Sequence, residues 1–157
     1  MNRKILFSTL LLIAFVATPR LIKAQASRTN GRHSKITVAV RAVLDAQREA
    51  WNRGDVDGYM DGYQRSPNTT FVSGDSITRG WQTVHDRYKN KYDTRDKMGS
   101  LDFTDLDVFV LSSNSAMVMG RWHLQRTSDE PHGRFTLIFR RTRQGWRIVH
   151  DHTSSAS

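Results

Sequence analysis

Residues 134–153 read RFTLIFRRTRQGWRIVHDHT, and how this stretch divides settles what kind of protein the chain builds. Phe135, Leu137 and Phe139 recur with the period of two that a pleated strand imposes, and Trp146 and Ile148 restart it after Arg143-Gln144-Gly145. Two long strands joined by so short a loop must pair antiparallel. The same reading extends backwards to runs at 101–111 and 115–127, separated by Ser112-Ser113-Asn114 and by Ser128 to Gly133 with Pro131. The C-terminal half is therefore an antiparallel meander. In the first run Leu101 and Phe103 lie on one parity, but Leu106, Val108 and Val110 on the other, so a β-bulge near Asp105 is needed, and it bends the sheet.

Upstream, the period changes. Ile36, Val40, Val43, Leu44, Ala50 and Trp51 fall at helical spacing, with Gly54 as the stop and Asp55 as the next N-cap. A second short helix carries Val56, Tyr59, Met60 and Tyr63 on one face and ends before Pro67. Short strand runs at 69–73 and 76–78 flank Gly74-Asp75, a pair suited to a type II′ hairpin. A third helix follows with Trp81, Val84, His85, Tyr88 and Tyr92, and the charged stretch from Lys89 to Met98 is expected to be exposed. The fold class is α+β: about three helices packed on a curved, mostly antiparallel sheet of five to six strands, a cone-shaped roll whose inside is a pocket.

The N-terminus bounds the compartment. Arg3 and Lys4 precede an apolar core from Ile5 to Ala17, and Ala24-Gln25-Ala26 supplies an A-x-A cleavage pattern, so residues 1–26 read as a secretory signal peptide. The apolar core is too short for the roughly 20 residues of a spanning helix. A retained anchor is the other reading, because Pro19, Arg20 and Lys23 make an unusual run before the cleavage point. The mature protein would be periplasmic or secreted, with residues 27–35 as a flexible arm and residues 36–154 as the domain. Cleavage would remove four basic residues and lower the formal net charge from +9 to +5. That mild, dispersed excess does not mark a nucleic-acid binder. The chain has no cysteine, which excludes a lipoprotein anchor and any disulfide.

The succession AWNRGDVDGYMDGY, TTFVSGDSITRGW, Gly120-Arg121-Trp122 and GWRIVHDHTS resembles the nuclear transport factor 2-like superfamily, in particular its small bacterial SnoaL-like domains. It is also similar to the association domain of calcium/calmodulin-dependent protein kinase II, in its Gly-Asp helix corner and its Trp-x-x-Val-His-x-His ending. The resemblance covers about residues 36–154 and implies the conical fold and a homodimer through the sheet. Its members include isomerases, dehydratases, cyclases, hydrolases and binding modules, so chemistry must come from the site. Where ketosteroid isomerases of this superfamily carry a base Asp and an oxyanion-holding Tyr, this chain has Ser73 and about Gln47. The Arg-x-Asp pair of limonene epoxide hydrolases becomes Arg121-Trp122-His123 here. Neither activity is implied.

The closing His150-Asp151-His152 cannot converge on one point, because alternation sends both imidazoles to the side opposite Asp151. By strict parity the histidines share a face with Trp146 and Ile148, and Asp151 shares one with Val149 and Thr153. Two imidazoles on one face need a third ligand to hold zinc or copper, and His123 is the nearest choice. No matching carboxylate accompanies them, so no metal and no other cofactor is expected. The resemblance to the kinase association domain implies that Asp151 and Thr153 face inward and the histidines outward, and Arg121 is then a candidate partner for the aspartate from an adjacent strand. The resemblance also places a cavity-lining histidine within one position of His85. These readings make Asp151 and His85 the acid-base candidates, and Trp51, Tyr59, Tyr63, Trp81, Arg121, His123 and Thr153 the pocket. The alternative for Asp151 is an internal ion pair with Arg121 that fixes the sheet.

Two functions follow from different classes. One is an exported module binding a hydrophobic or weakly acidic small molecule. The other is a cofactor-independent isomerase, cyclase or hydrolase using Asp151 or His85. Apolar residues on both faces of the last two strands suggest a cover on each side, helices on one and a second copy of the chain on the other.

Overall fold

The computed structural model describes the backbone of residues 19–156 and the side chains of residues 27–156. The signal peptide expected at residues 1–26 lies largely outside the described residues, since residues 1–18 are not described and 19–26 are described in backbone only. Among those described, no helix is long and apolar enough to cross a membrane.

Helix α1 (Pro19–Asn52) opens on proline, whose fixed φ suits the first helical position. Residues 27–35, expected as a flexible arm, are helical and exposed. Their sequence holds no proline, and a helix nucleated by a buried stripe downstream extends at one hydrogen bond per added residue. That stripe begins at Ile36 and continues through Val40, Leu44 and Trp51, all buried.

The end of α1 is closed from two sides. Gly54 takes a positive φ of 85°, which only glycine adopts freely, and its N–H donates to the Trp51 carbonyl at 2.8 Å. The Arg95 guanidinium donates to the carbonyls of Trp51 and Asn52 at 2.9 and 3.1 Å, placing a cation where the helix leaves acceptors unpaired. Asp55 then caps α2 (Val56–Met60), its carboxylate accepting from the Gly58 N–H at 2.7 Å. Arg95 begins the one-turn helix α4 (Arg95–Met98), which follows α3 (Trp81–Lys91). The expectation of a wholly exposed stretch at 89–98 is corrected here: Met98 is buried, and its carbonyl accepts from the Trp51 indole at 3.0 Å.

Six strands form one sheet: β1 (Thr70–Ser73), β2 (Ser76–Arg79), β3 (Ser100–Val110), β4 (Ser115–Gln125), β5 (His132–Thr142) and β6 (Gly145–Thr153). Their spatial order is β2-β1-β6-β5-β4-β3. Every pairing is antiparallel except β1 with β6. The sheet is curved and open, with the helices on its concave side. Ala116, Val118, Leu137, Phe139 and Ile148 form the buried inner face. Asn52 pins the helical layer to the start of β3: its amide donates to the Leu101 carbonyl at 3.0 Å and its oxygen accepts from the Leu101 N–H at 2.7 Å.

Two bulges shape the strands. The one expected near Asp105 is present, with the β3–β4 register shifting between Thr104 and Asp107 and Asp105 at φ 51°. The second, in β6, escapes the alternation argument. Ile138 pairs with His150 and Phe139 with Ile148, so Val149 is an extra residue. The strict-parity grouping of the last strand is therefore corrected. Trp146, Ile148 and Asp151 are all buried, while His152 is exposed.

Replacing Asn52 with alanine removes both bonds to Leu101, each worth about 0.5–1.5 kcal/mol net. The Asn52→Ala urea midpoint should fall, with a loss of about 1–2 kcal/mol at unchanged m-value. Wild-type stability in this variant would show that the side chain does not hold the two layers together.

Candidate functional site

Val149 decides what the concave face offers. The extra residue turns β6 so that Asp151 follows Ile148 onto the inner side, and parallel pairing sets Phe71 against Asp151 and Ser73 against Thr153. The chain after α2 arrives at the same place. The Ile148 N–H donates to the Gly62 carbonyl at 2.9 Å, and the Gln64 N–H donates to the Ile148 carbonyl at 2.8 Å. This delivers Tyr63 to Asp151. Gly62 is needed at that crossing, since a Cβ there would lie 2.5 Å from the Gln47 side chain. Gln47 is itself buried, donating to the Tyr59 carbonyl at 3.0 Å.

Between these elements and α3 lies a cavity of about 100 Å³, of the order of the roughly 150 Å³ hollow that accepts benzene in a well-studied engineered protein. Tyr59, Tyr63, Phe135, Leu137 and Asp151, all buried, form its closed end, and the rim carries Arg87, Lys91, Trp122 and Ser155. The walls are aromatic: Trp51 meets Tyr59 edge-on at 5.0 Å and Tyr92 at 4.7 Å, and Phe71 meets Tyr88 at 5.9 Å.

Asp151 is 3% exposed. Its Oδ2 accepts from the Tyr63 hydroxyl at 2.6 Å and its Oδ1 from the Thr153 hydroxyl at 2.6 Å. Burial pushes its carboxyl up to about 6, and the two hydroxyl bonds, from Thr153 and then Tyr63, hold it from rising further. Burial, followed by the nearby carboxylate charge, raises Tyr63 well above the ordinary phenol value. Tyr59 and Tyr88 move the same way, with burial as the main cause. The three phenols therefore stay protonated, available as donors.

Of the residues singled out from sequence, Trp51, Tyr59, Tyr63, Asp151 and Thr153 share this cavity, while Trp81, His85, Arg121 and His123 do not line it. Trp81 donates its indole N–H to the Met60 carbonyl at 3.1 Å and stacks on His85 at 4.9 Å. The His85 ring faces Asp57 at 2.6 Å and Asp86 at 3.1 Å. Arg121 is exposed, in register with Thr104 and Arg134, and β5 separates its strand from β6. The expected Arg121–Asp151 pair is thus absent, because the two sit on opposite faces of non-adjacent strands. His123 lies 3.5 Å from Glu130.

His150 contacts the Thr70 hydroxyl through Nδ1 at 2.6 Å. Burial, helped by the neighbouring His152, lowers its pKa. Among the described residues no cluster of three His, Asp or Glu side chains is placed to hold a metal ion. The sequence reading missed Arg87, Tyr88 and Lys91 as cavity residues. They lie three, four and seven residues beyond Val84, the buried residue of α3, and that spacing was the available signal.

Comparison with known proteins agrees with this architecture. A family model described as the SnoaL-like domain matches residues 40–157. No curated protein matches the chain. A crystal structure of an NTF-2 like protein of unknown function from Shewanella oneidensis MR-1 is 39% identical, covers 75% of this chain and 98% of its own, and superposes with a TM-score of 0.73. An NTF2-like superfamily protein from Salmonella enterica serovar Typhimurium is 21% identical, over 80% of this chain and 94% of that one, with a TM-score of 0.63. An NTF2-like protein of unknown function from Pseudomonas putida KT2440 is 16% identical, over 73% and 82%, with a TM-score of 0.62. The last two share the fold. On the family model and the 39% identical relative, the chain belongs to the SnoaL-like domain family of the nuclear transport factor 2-like superfamily.

Proposed function

We propose that this protein is exported and binds a small, largely apolar molecule in the cone, with Asp151 accepting a hydrogen bond from it. One observation carries this reading: a carboxylate buried among aromatics whose bonded partners are a phenol and an alcohol rather than a cation. A carboxyl pushed by burial from the ordinary aspartate range up to about 6 costs the fold on the order of 3 kcal/mol at neutral pH. An apolar residue would fill the same space without that cost. A binding site is the reason to keep it.

Export rests on the leader sequence. Among the described residues the first buried side chain of α1 is Ile36, so the exposed residues 27–35 separate the expected cleavage point from the core. A second copy of the chain would cover the convex side of the sheet, where Phe109 and Met119 are 43% and 40% exposed and Phe109 runs across the strands into Met117 and Ile138.

A second reading, a cofactor-independent acid-base enzyme, is favoured by the position of the Asp151 carboxyl near neutrality, where a general base works best. His85 does not join Asp151 in it, since its ring is turned to Asp57 and Asp86.

Three outcomes test these statements. Asp151 is raised on folding, so its favourable contribution is complete below about pH 4 and is lost as pH rises through about 6. Asp151→Asn should therefore be more stable than wild type at pH 8, by up to about 3 kcal/mol, with the gap closing towards pH 4.5 in paired urea melts. A pH-independent gap would mean that the carboxylate is not strained.

Native mass spectrometry of the purified protein should reveal a bound small molecule. Asp151→Asn and Tyr63→Phe should weaken its rebinding about tenfold or more. If the molecule is a substrate and Asp151 the base, Asp151→Asn should lower kcat far more than the loss of affinity accounts for, whereas a pure binder should change in affinity alone. Sedimentation at micromolar concentration should give a dimer that Met119→Glu converts to monomer; a wild-type monomer would remove the second copy.

A further inference from the structure

The polarity of the cavity, taken from its closed end to its mouth, narrows the ligand further, and this step rests on the binding reading above. Asp151 at the closed end, when ionised, can only accept hydrogen bonds. At the mouth stand Arg87 and Lys91, four residues apart on α3 and so one helical turn apart on the same face. Arg87 is held in place: its Nη1 donates to the Thr78 hydroxyl at 3.1 Å, and its guanidinium lies 5.2 Å from the centre of the Phe71 ring. Lys91 lies over the Tyr92 ring at 5.2 Å.

Neither cation is paired with a carboxylate among the described residues, although their neighbour Lys89 contacts Asp57 at 2.9 Å. Two unpaired cations on an aromatic rim attract an anion. The buried carboxylate repels an anion from the inner end. The order is therefore cationic outside, aromatic in the middle and anion-repelling inside.

We propose that the ligand is a single-ring aromatic acid with a hydroxyl opposite its carboxylate, bound hydroxyl-inward on Asp151 and carboxylate-outward between Arg87 and Lys91. The ring matches a hollow of about 100 Å³ and packs edge or face against Phe71, Tyr88 and Tyr92. Reversing the molecule would bring two carboxylates together at the closed end and leave both rim cations unsatisfied. An aromatic amine without an acid group would use only half of the site.

Titration calorimetry at pH 7.5 with three probes tests this: 4-hydroxybenzoate, benzoate without the inner donor, and 4-hydroxybenzamide without the anion. The 4-hydroxybenzoate should bind at least tenfold tighter than either of the others. Added salt should weaken it but not the amide. Arg87→Gln should bring acid and amide within twofold of each other, and Lys91→Gln, at an exposed position that the fold does not depend on, should do the same. Asp151→Asn should erase the preference for 4-hydroxybenzoate over benzoate.

Equal binding of acid and amide, or of 4-hydroxybenzoate and benzoate, would overturn the two-ended recognition and leave the cavity a general apolar site. Binding of none of the three, with a co-purified molecule still bound, would overturn this ligand class alone. Binding of none, with nothing co-purified, would remove the binding reading as well.

Discussion

Strand β6 must satisfy its backbone on both sides while changing partners along one of them, and the bulge at Val149 is where it does so. On one edge β5 runs beside it throughout. On the other, the segment after α2 bonds to Ile148 through Gly62 and Gln64, and β1 takes over from His150 to Thr153. The extra residue between these two pairings lets Ile148 and Asp151 face the same way. The apolar floor beneath α1 and the polar point of the cavity both follow from that shift.

The helical layer is attached to this sheet by a few directed bonds rather than by apolar contact alone. Asn52 reads the backbone of Leu101, Trp51 reads Met98, and Arg95 closes the end of α1. These bonds lie at the α1 end that faces the start of β3, so the cone is braced at that side while Arg87, Lys91 and Ser155 line its exposed rim. Tyr63 links the two layers at the closed end, where its hydroxyl reaches Asp151. The cavity is thus held on rigid elements, because it joins the helices to a strand inside the sheet.

Burial shapes the chemistry of the cavity and also carries its cost. Tyr59, Tyr63 and Tyr88 are kept protonated by the same aromatic enclosure that lifts Asp151 towards neutrality. The enclosure thus holds a row of donors beside one acceptor whose charge is sensitive to pH near 6. Binding and acid-base catalysis draw on the same physical arrangement, and they differ only in whether a bound molecule offers a proton that can leave. The rim cations act at longer range and through water, so their charges weigh on the potential at the cavity mouth more than on the stability of the fold.

Much of this was legible in the sequence. Alternation in residues 134–153, the helical stripe from Ile36 to Trp51, the Gly54-Asp55 corner and the mismatch of parity around Asp105 determined the α+β class, the strand order along the chain and one bulge, because each is a local consequence of backbone geometry. The inward placement of Asp151 came only from resemblance, since alternation alone grouped it away from Trp146 and Ile148. Tertiary structure decided the rest. The bulge at Val149 arises from a change of neighbour on the far edge of β6, which no residue in that strand announces. Arg121 does not meet Asp151, because β5 lies between its strand and β6. Arg87 and Lys91 reach the cavity because α3 turns that face over the cone. Local pattern tells which face of an element is buried, but only the packed sheet decides which side chains meet across it.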